Sequence, residues 1–96
     1  MFGKGTFMRN EMEALLKEEL RVLAIKTRDR LHLTQKEMGE RLEMSESSYS
    51  NIETGVSMCG TLTTVLILLE QKNPEGYLRK LEANFKKQYE EEMELL

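Results

Sequence analysis

The chain has 96 residues, of which 40% are hydrophobic and 32% charged, and this is the length and composition of one water-soluble domain. Its 14 basic and 17 acidic residues give a net charge of −3, opposite in sign to a typical nucleic-acid-binding domain, so any basic surface has to be local. A single cysteine, Cys59, excludes an internal disulfide, and the longest apolar run, Val65–Leu69, is far shorter than the roughly 20 residues that cross a membrane.

Six glycines, one proline and the absence of alternating β-branched residues predict an all-α chain. Two glycines in residues 1–8 predict a disordered start. From Arg9 to about Arg30, apolar residues recur three or four positions apart, as they do on one face of a helix. We therefore expect the first helix over this segment.

Capping residues predict the next two helices. Thr34 is followed three positions later by a glutamate, the capping-box spacing that satisfies two free amides at a helix start, so a second helix is predicted over 34–42. Ser45 offers another N-cap and Gly55 a left-handed stop. A third helix is therefore predicted over 45–54.

Two further helices complete the domain and extend it. A strongly apolar fourth helix, Leu62–Leu69, is expected at the centre of the core of a domain that spans 9–72. Pro74 predicts the start of a fifth, amphipathic helix over 73–96, because a proline at the first helical position loses no hydrogen bond. Its apolar residues are Leu78, Leu81, Phe85, Tyr89, Met93 and Leu96.

No cluster of residues predicts catalysis or metal binding. His32 is the only histidine and stands near a helix end, where surface or capping roles are commoner than ligation. Cys59 has no histidine near it in the sequence, so packing is its expected role. The serines at 45, 47, 48 and 50 lack a Gly-x-Ser-x-Gly turn. We therefore expect no enzyme, no cofactor and no metal.

The predicted third helix carries small polar residues on one face and Tyr49 and Ile52 on the other. Small polar side chains on a helix can reach base edges in the major groove of DNA. The alternative is an ordinary amphipathic helix with a polar outer face, and periodicity alone favours it. The outward residues are Glu46, Ser47, Ser50 and Asn51.

A specific combination of residues changes that balance: Leu33-Thr34-Gln35 before the second helix and Ile52-Glu53-Thr54-Gly55 at the end of the third. With Arg28, Gly39, Leu42 and Ser45 at matching spacing, the segment from about Ala24 to Leu69 resembles the helix-turn-helix family of Cro and the phage repressors, also called XRE-like. The resemblance implies a five-helix lambda-repressor-like DNA-binding domain, here followed by an extended C-terminal helix.

The resemblance also implies roles for single residues. By position, Thr34, Gln35 and Thr54 contact DNA phosphate, and Gln35 also braces the third helix. Glu46, Ser47 and Asn51 face base edges, and Ser50, on the same exposed face, is predicted to read bases with them. Arg28 and Glu53 match a structural ion pair between the first and third helices.

Two features depart from the family pattern. Gly39 stands where alanine is usual, and Glu43 stands where glycine often makes the turn, so we expect a strained or reshaped turn.

Residues 26–55 hold five basic and six acidic residues. Because phosphate neutralisation supplies most non-specific affinity, we expect modest, salt-sensitive DNA binding.

The apolar stripe of the fifth helix has two interpretations. In one, Leu78 and Leu81, with Tyr77, fold back on the chain's own fourth helix. In the other, which we favour, the stripe packs against the same helix of a second copy, because a short monomer has little surface to cover it. The residues of that dimer interface are Phe85, Tyr89, Met93 and Leu96.

The sequence therefore predicts a cytoplasmic, homodimeric transcription regulator, most simply a repressor, that binds double-stranded DNA at a near-palindromic operator with half-sites about one helical turn apart. The first thirty residues carry charges throughout and contain no apolar signal stretch, which agrees with the cytoplasm. The alternative is an antitoxin-like or adaptor module that binds a protein partner and reads DNA weakly or not at all.

Overall fold

The structure is a computed structural model that describes the backbone of residues 2–94 and the side chains of residues 9–91, 93 and 94. Its helices are α1 (Phe2–Leu31), α2 (Gln35–Arg41), α3 (Glu46–Glu53), α4 (Thr61–Leu69) and α5 (Pro74–Glu94). No strand occurs in residues 2–94, and the prediction of an all-α fold is confirmed.

The start of the chain differs from the expectation. We predicted a disordered start over 1–8 and a helix from Arg9, but α1 begins at Phe2. Extending a helix costs little once it has formed, and no proline interrupts residues 2–9, so the two glycines do not end it.

Two turns that end helices place a non-glycine residue in the left-handed region. His32 (φ 56°) follows α1, and Glu43 (φ 59°) follows α2. In the second turn the Glu43 amide donates to the Glu40 carbonyl at 3.1 Å, and the Met44 amide donates to the Gly39 carbonyl at 2.9 Å. This is the Schellman pattern, which glycine normally closes, so the tight turn between α2 and α3 holds a glutamate in an unfavourable conformation.

The chain divides into two compact units, one of residues 17–72 and one that combines the start of α1 with α5. Every buried hydrophobic residue among the described side chains lies in the first unit. These residues are Leu20, Leu23, Ala24, Met38, Leu42, Tyr49, Ile52 and Ile67.

The position of helix α4 also differs from the expectation. Of its nine residues, only Thr63 and Ile67 are buried. Leu62, Val65 and Leu69 expose 62%, 47% and 73% of their surface. The prediction that α4 is the centre of the core is therefore wrong. Only one narrow face of the helix packs into the domain, and the exposed face is also apolar, so hydrophobicity alone did not distinguish the two faces.

The second unit has a groove rather than a buried core. Leu16 from α1 and Leu78, Leu81 and Phe85 from α5 line it, with Glu82 at its edge, and its volume is about 360 Å³. None of the apolar side chains described in this unit is buried.

Candidate nucleic-acid interface

Helix α3 has one buried face and one polar face. Tyr49, Ile52 and Glu53 are buried. At 3.6 residues per turn, Ser47 and Asn51 lie opposite them on the helix surface. Ser47 is exposed and Asn51 half-buried, and no hydrogen bond to either side chain occurs among the described residues. Two small polar side chains are thus presented outward by a helix fixed from behind.

Local capping sets where α3 starts. The Ser45 hydroxyl accepts a hydrogen bond from the Ser48 amide at 3.1 Å, which satisfies one of the free amides of the first turn. Gly55, with φ 82°, stops the helix just after its C-cap, Thr54. The helix with its caps spans Ser45 to Thr54, the same range as the predicted third helix.

Gly39 lets α2 approach the turn before α3. A Cβ at this position would lie 3.0 Å from the Met44 carbonyl oxygen and 3.2 Å from that of Ser45. Both are backbone atoms, so they cannot rotate away as a flexible side chain would. An alanine at this position, the residue usual in the family, would therefore press on the backbone of the turn.

The Glu53 carboxylate ties α3 to the two preceding helices. It accepts hydrogen bonds from Arg28 Nε at 2.6 Å and Arg28 Nη2 at 3.1 Å, and from Gln35 Nε2 at 2.9 Å. The buried Tyr49 hydroxyl also donates to it. Arg21 adds a bond from Nη1 to the Glu53 carbonyl oxygen at 3.3 Å. Sequence reasoning paired Arg28 with Glu53 but missed Arg21 and Tyr49.

The charge state of this cluster follows from those contacts. Burial would raise the pKa of Glu53, but the hydrogen bonds from Arg28, Tyr49 and Gln35 outweigh it and hold the pKa below its ordinary value. Burial and the adjacent Glu53 carboxylate raise the pKa of Tyr49. The cluster therefore holds a carboxylate, a guanidinium and a neutral phenol at neutral pH.

The residues predicted to contact phosphate occupy two helix ends. Thr34 caps α2: its hydroxyl accepts from the Glu37 amide at 3.1 Å, and its own amide donates to Glu37 Oε1 at 2.9 Å. Hydrogen bonds to the Glu37 carboxylate from the Thr34 amide and then from the Thr34 side chain lower the pKa of Glu37. Thr54 is exposed, and its hydroxyl donates to the Ser50 carbonyl at 3.1 Å. Gln35 is half-buried and engaged with Glu53, so of the three it is the one turned to the interior.

Residues 25–70 match a family model described as helix-turn-helix. This segment belongs to the helix-turn-helix family of Cro and the phage repressors. The domain has the all-α lambda-repressor-like fold. Such a domain is characteristic of DNA-binding regulators and is not typically enzymatic. Comparison with curated proteins and with solved structures gives no match.

Three other features of the described residues bear on function. None of the helices is both long and apolar enough to pass through a membrane. No group of three or more His, Cys, Asp or Glu side chains stands where it could hold a metal ion. Burial raises the pKa of the half-buried Cys59 thiol, which makes it a poorer nucleophile at neutral pH.

The helix-turn-helix domain holds several of its arginines in internal contacts. Arg41 pairs with Glu70, and Arg30 donates to the Glu70 carbonyl oxygen. The Arg41 hydrogen bonds lower the pKa of Glu70. Among the described residues, no ion pair engages Lys26 or Lys36, and both are exposed. No local pattern in the sequence signals these contacts of Glu70, because it lies far along the chain from both arginines.

Outside the helix-turn-helix domain, the predicted dimer residues are divided in their exposure. Tyr89 and Met93 expose 47% and 40% of their surface. Phe85 is half-buried in the groove that it lines with Leu16. Leu96 lies outside the described residues. Part of the α5 stripe thus faces α1 of the same chain, and part of it faces solvent.

Proposed function

We propose that this protein is a sequence-specific, DNA-binding transcription regulator that places α3 in the major groove. The observation that carries the proposal is the construction of α3 itself. Ser47 and Asn51 face outward on a helix whose inner face is fixed to α1 and α2 through Glu53. A base-reading helix needs this rigidity, because a hydrogen bond to a base edge discriminates only when its donor is held in place.

Each outward residue has a chemistry suited to a base edge. The carboxamide of Asn51 can bond adenine in a bidentate manner, and Glu46 can accept a hydrogen bond from the amino group of cytosine. Ser47 can bond to any base, and Ser50 supports it from the flank of the same face. Glu46 lies at the edge of the face, one turn before Ser50, so we expect it to read the outermost position.

Contacts with phosphate fix the position of the helix on the duplex. We assign them to Thr34, Gln35 and Thr54, with Arg28 and Glu53 as the structural pair behind them. Among the described cations of residues 26–55, Lys26, Lys36 and Arg30 stand in no ion pair, and Arg30 is held by the Glu70 carbonyl oxygen. Because few phosphates would be neutralised, binding should be modest, and it should weaken with salt only with the slope that this small number of phosphate contacts sets.

Pairing through α5 would supply the second half of the recognition. Tyr89 and Met93 are exposed, and Phe85 and Leu96 extend their stripe. A two-fold dimer would read a near-palindromic operator with half-sites about one helical turn apart. Occlusion of a promoter is the simplest outcome, in a cytoplasmic protein that has no enzymatic activity and uses no cofactor.

Selection from a random duplex DNA library at near-physiological salt tests the proposal. We expect enrichment of a two-fold symmetric site. On that site, Asn51→Ala should weaken binding by about 10- to 100-fold, the loss of one bidentate base contact. Ser47→Ala should also weaken it, whereas Ser48→Ala, the same change on the flank of α3, should not. Equal effects of Ser47→Ala and Ser48→Ala would argue against base reading by this face.

One observation favours a second candidate, a protein-interaction module of the antitoxin or adaptor kind. Three arginines make contacts within the domain: Arg28 with Glu53, and Arg30 and Arg41 with Glu70. Little unpaired positive charge is therefore left to attract phosphate. Failure to enrich any DNA sequence would favour this candidate. The same conclusion would follow if the Asn51→Ala variant kept the protein's regulatory effect in cells and the Met93→Glu variant lost it.

A further inference from the structure

Helix α4 and the loop before it carry a second exposed apolar surface, which we call the α4 stripe: Leu62, Val65 and Leu69 with Val56 and Met58 from the loop. Val56 exposes 70% of its surface and Met58 40%. No charged residue occurs from residue 56 to residue 69. An uncharged apolar surface of this extent is unusual on a chain in which 32% of the residues are charged. Exposed apolar patches of this kind commonly mark interaction sites.

The stripe is a regular feature of a firmly held helix. Leu62, Val65 and Leu69 are spaced by three and four residues, which brings them to one edge, while the buried Thr63 and Ile67 lie on the other side. Gln71 Nε2 donates to Thr27 Oγ1 at 2.9 Å and to the Ile67 carbonyl at 2.8 Å, so the end of α4 is fixed to α1. A rigid apolar edge of this kind is ready to pack without further ordering.

A second copy of the chain is the occupant that this surface fits. Its three- and four-residue spacing is that of the a and d positions at which two helices pack side by side. A two-fold contact brings the stripe against itself, so its lack of charge is matched on both sides. A charged partner would gain nothing from such a surface, and it would lose its own hydration there.

The size of the stripe sets the strength of the contact. Each of its five side chains presents on the order of 100 Å² when fully exposed. With the fractions given above, two copies would remove roughly 600 Å² from water, less than the about 1,200 Å² of a typical stable interface. The contact should therefore be weak between free chains and effective between chains that something else holds together.

We propose that the α4 stripe is a two-fold, apolar self-association surface, separate from α5, that joins chains already held close. Pairing through α5 as proposed above would make the stripe the contact between two dimers. Without pairing through α5, it would be the weak dimer contact itself. The inference does not depend on DNA binding.

Sedimentation velocity from micromolar to millimolar concentration tests it, with Leu69→Glu and Tyr89→Glu as single and combined changes. We expect wild type to form dimers that associate further, Leu69→Glu to stop at the dimer, and the double variant to be a monomer. Ser48→Glu is the matched control, since it adds the same charge to an exposed site on another helix, α3. Circular dichroism checks that each variant is folded.

The outcomes separate the two surfaces. Loss of all association in Leu69→Glu, with Tyr89→Glu silent, would support the stripe and overturn the α5 dimer. Identical sedimentation of Leu69→Glu, Ser48→Glu and wild type would overturn the stripe, whatever Tyr89→Glu does.

Cross-linking gives a second measurement that does not depend on a charge substitution. In a Cys59→Ser background, Val65→Cys lies in the middle of the stripe, where a two-fold axis brings the two thiols within disulfide reach. Mild oxidation should link Val65→Cys to its copy and leave Ser48→Cys largely unlinked. Equal linkage of the two, or none in either, would count against the proposal.

Discussion

The two compact units of this chain are stabilised by different kinds of contact. Residues 17–72 bury eight hydrophobic side chains and connect their helices through Glu53 and Glu70. The unit that contains α5 buries none among its described side chains, and its ion pairs join neighbours on one helix. An Arg–Glu pair or a glycine therefore has a different importance in each unit, and matched substitutions can measure the difference.

The largest expected effect comes from the two Arg–Glu pairs. Arg28→Ala leaves the buried Glu53 carboxylate without its cation, which should cost about 3 kcal/mol and lower the melting temperature by more than about 10 °C. Arg79→Ala breaks a pair with Glu75 in which both side chains are more than four-fifths exposed, and it should leave melting unchanged. Thermal denaturation followed by circular dichroism measures both. Equal shifts would show that the units do not differ in this way.

Two glycines give the next comparison. In Gly39→Ala the new Cβ meets the Met44 and Ser45 carbonyls, and the loss should be about 1 to 2 kcal/mol after the helical preference of alanine is counted. In Gly76→Ala of α5 the nearest atoms belong to the Asn73 side chain, which can rotate. There we expect a change within about 0.5 kcal/mol, because a weaker Asn73 cap offsets the better helix former. Urea denaturation distinguishes the two, and a silent Gly39→Ala would mean that the turn relaxes.

Acid should unfold the protein partly through Glu53. Its pKa is lower in the folded chain than in the unfolded chain, so the stabilisation it gives is present above about pH 4.3, the ordinary value, and is lost as the pH falls through the folded value. Protonation leaves the carboxyl in place as an acceptor, so this effect is smaller than that of Arg28→Ala. Unfolding free energies measured from pH 6 to pH 2 should fall less steeply for Glu53→Gln than for Glu75→Gln. Parallel curves would contradict the assignment.

The sequence predicts best where the physical signal is local. Thr34 and Ser45 mark the starts of α2 and α3 because a cap bonds to an amide only three residues away. The family pattern pairs Arg28 with Glu53, and the structure places them in contact. The outward face of α3, including Ser47 and Asn51, follows from helical periodicity once Tyr49 and Ile52 are placed inside.

Contacts between distant segments could not be predicted in this way. Periodicity shows that a face of α4 is apolar but not what covers it, so Leu62 and Leu69 were expected in the core and are exposed. Glu70 accepts hydrogen bonds from two arginines that lie 29 and 40 residues earlier in the chain. No pattern of spacing signals either contact, because each depends on how the helices are arranged in space. The DNA roles of the α3 residues and the dimer roles of the α5 residues stay predictions for the same reason.

The smallest predicted effect is a gain in stability at the turn between α2 and α3. Glu43 holds φ at 59°, a conformation that an L-residue reaches only at a cost and that glycine adopts freely. Glu43→Gly should therefore stabilise the chain by about 1 kcal/mol, since relief of the strain exceeds the added freedom of the unfolded chain. Glu40→Gly is the matched control: the same change three residues earlier, within α2, should destabilise by a similar amount. Opposite signs in urea denaturation would place the strain in the turn, whereas destabilisation by both would mean that the Glu43 side chain stabilises the turn more than its backbone strains it.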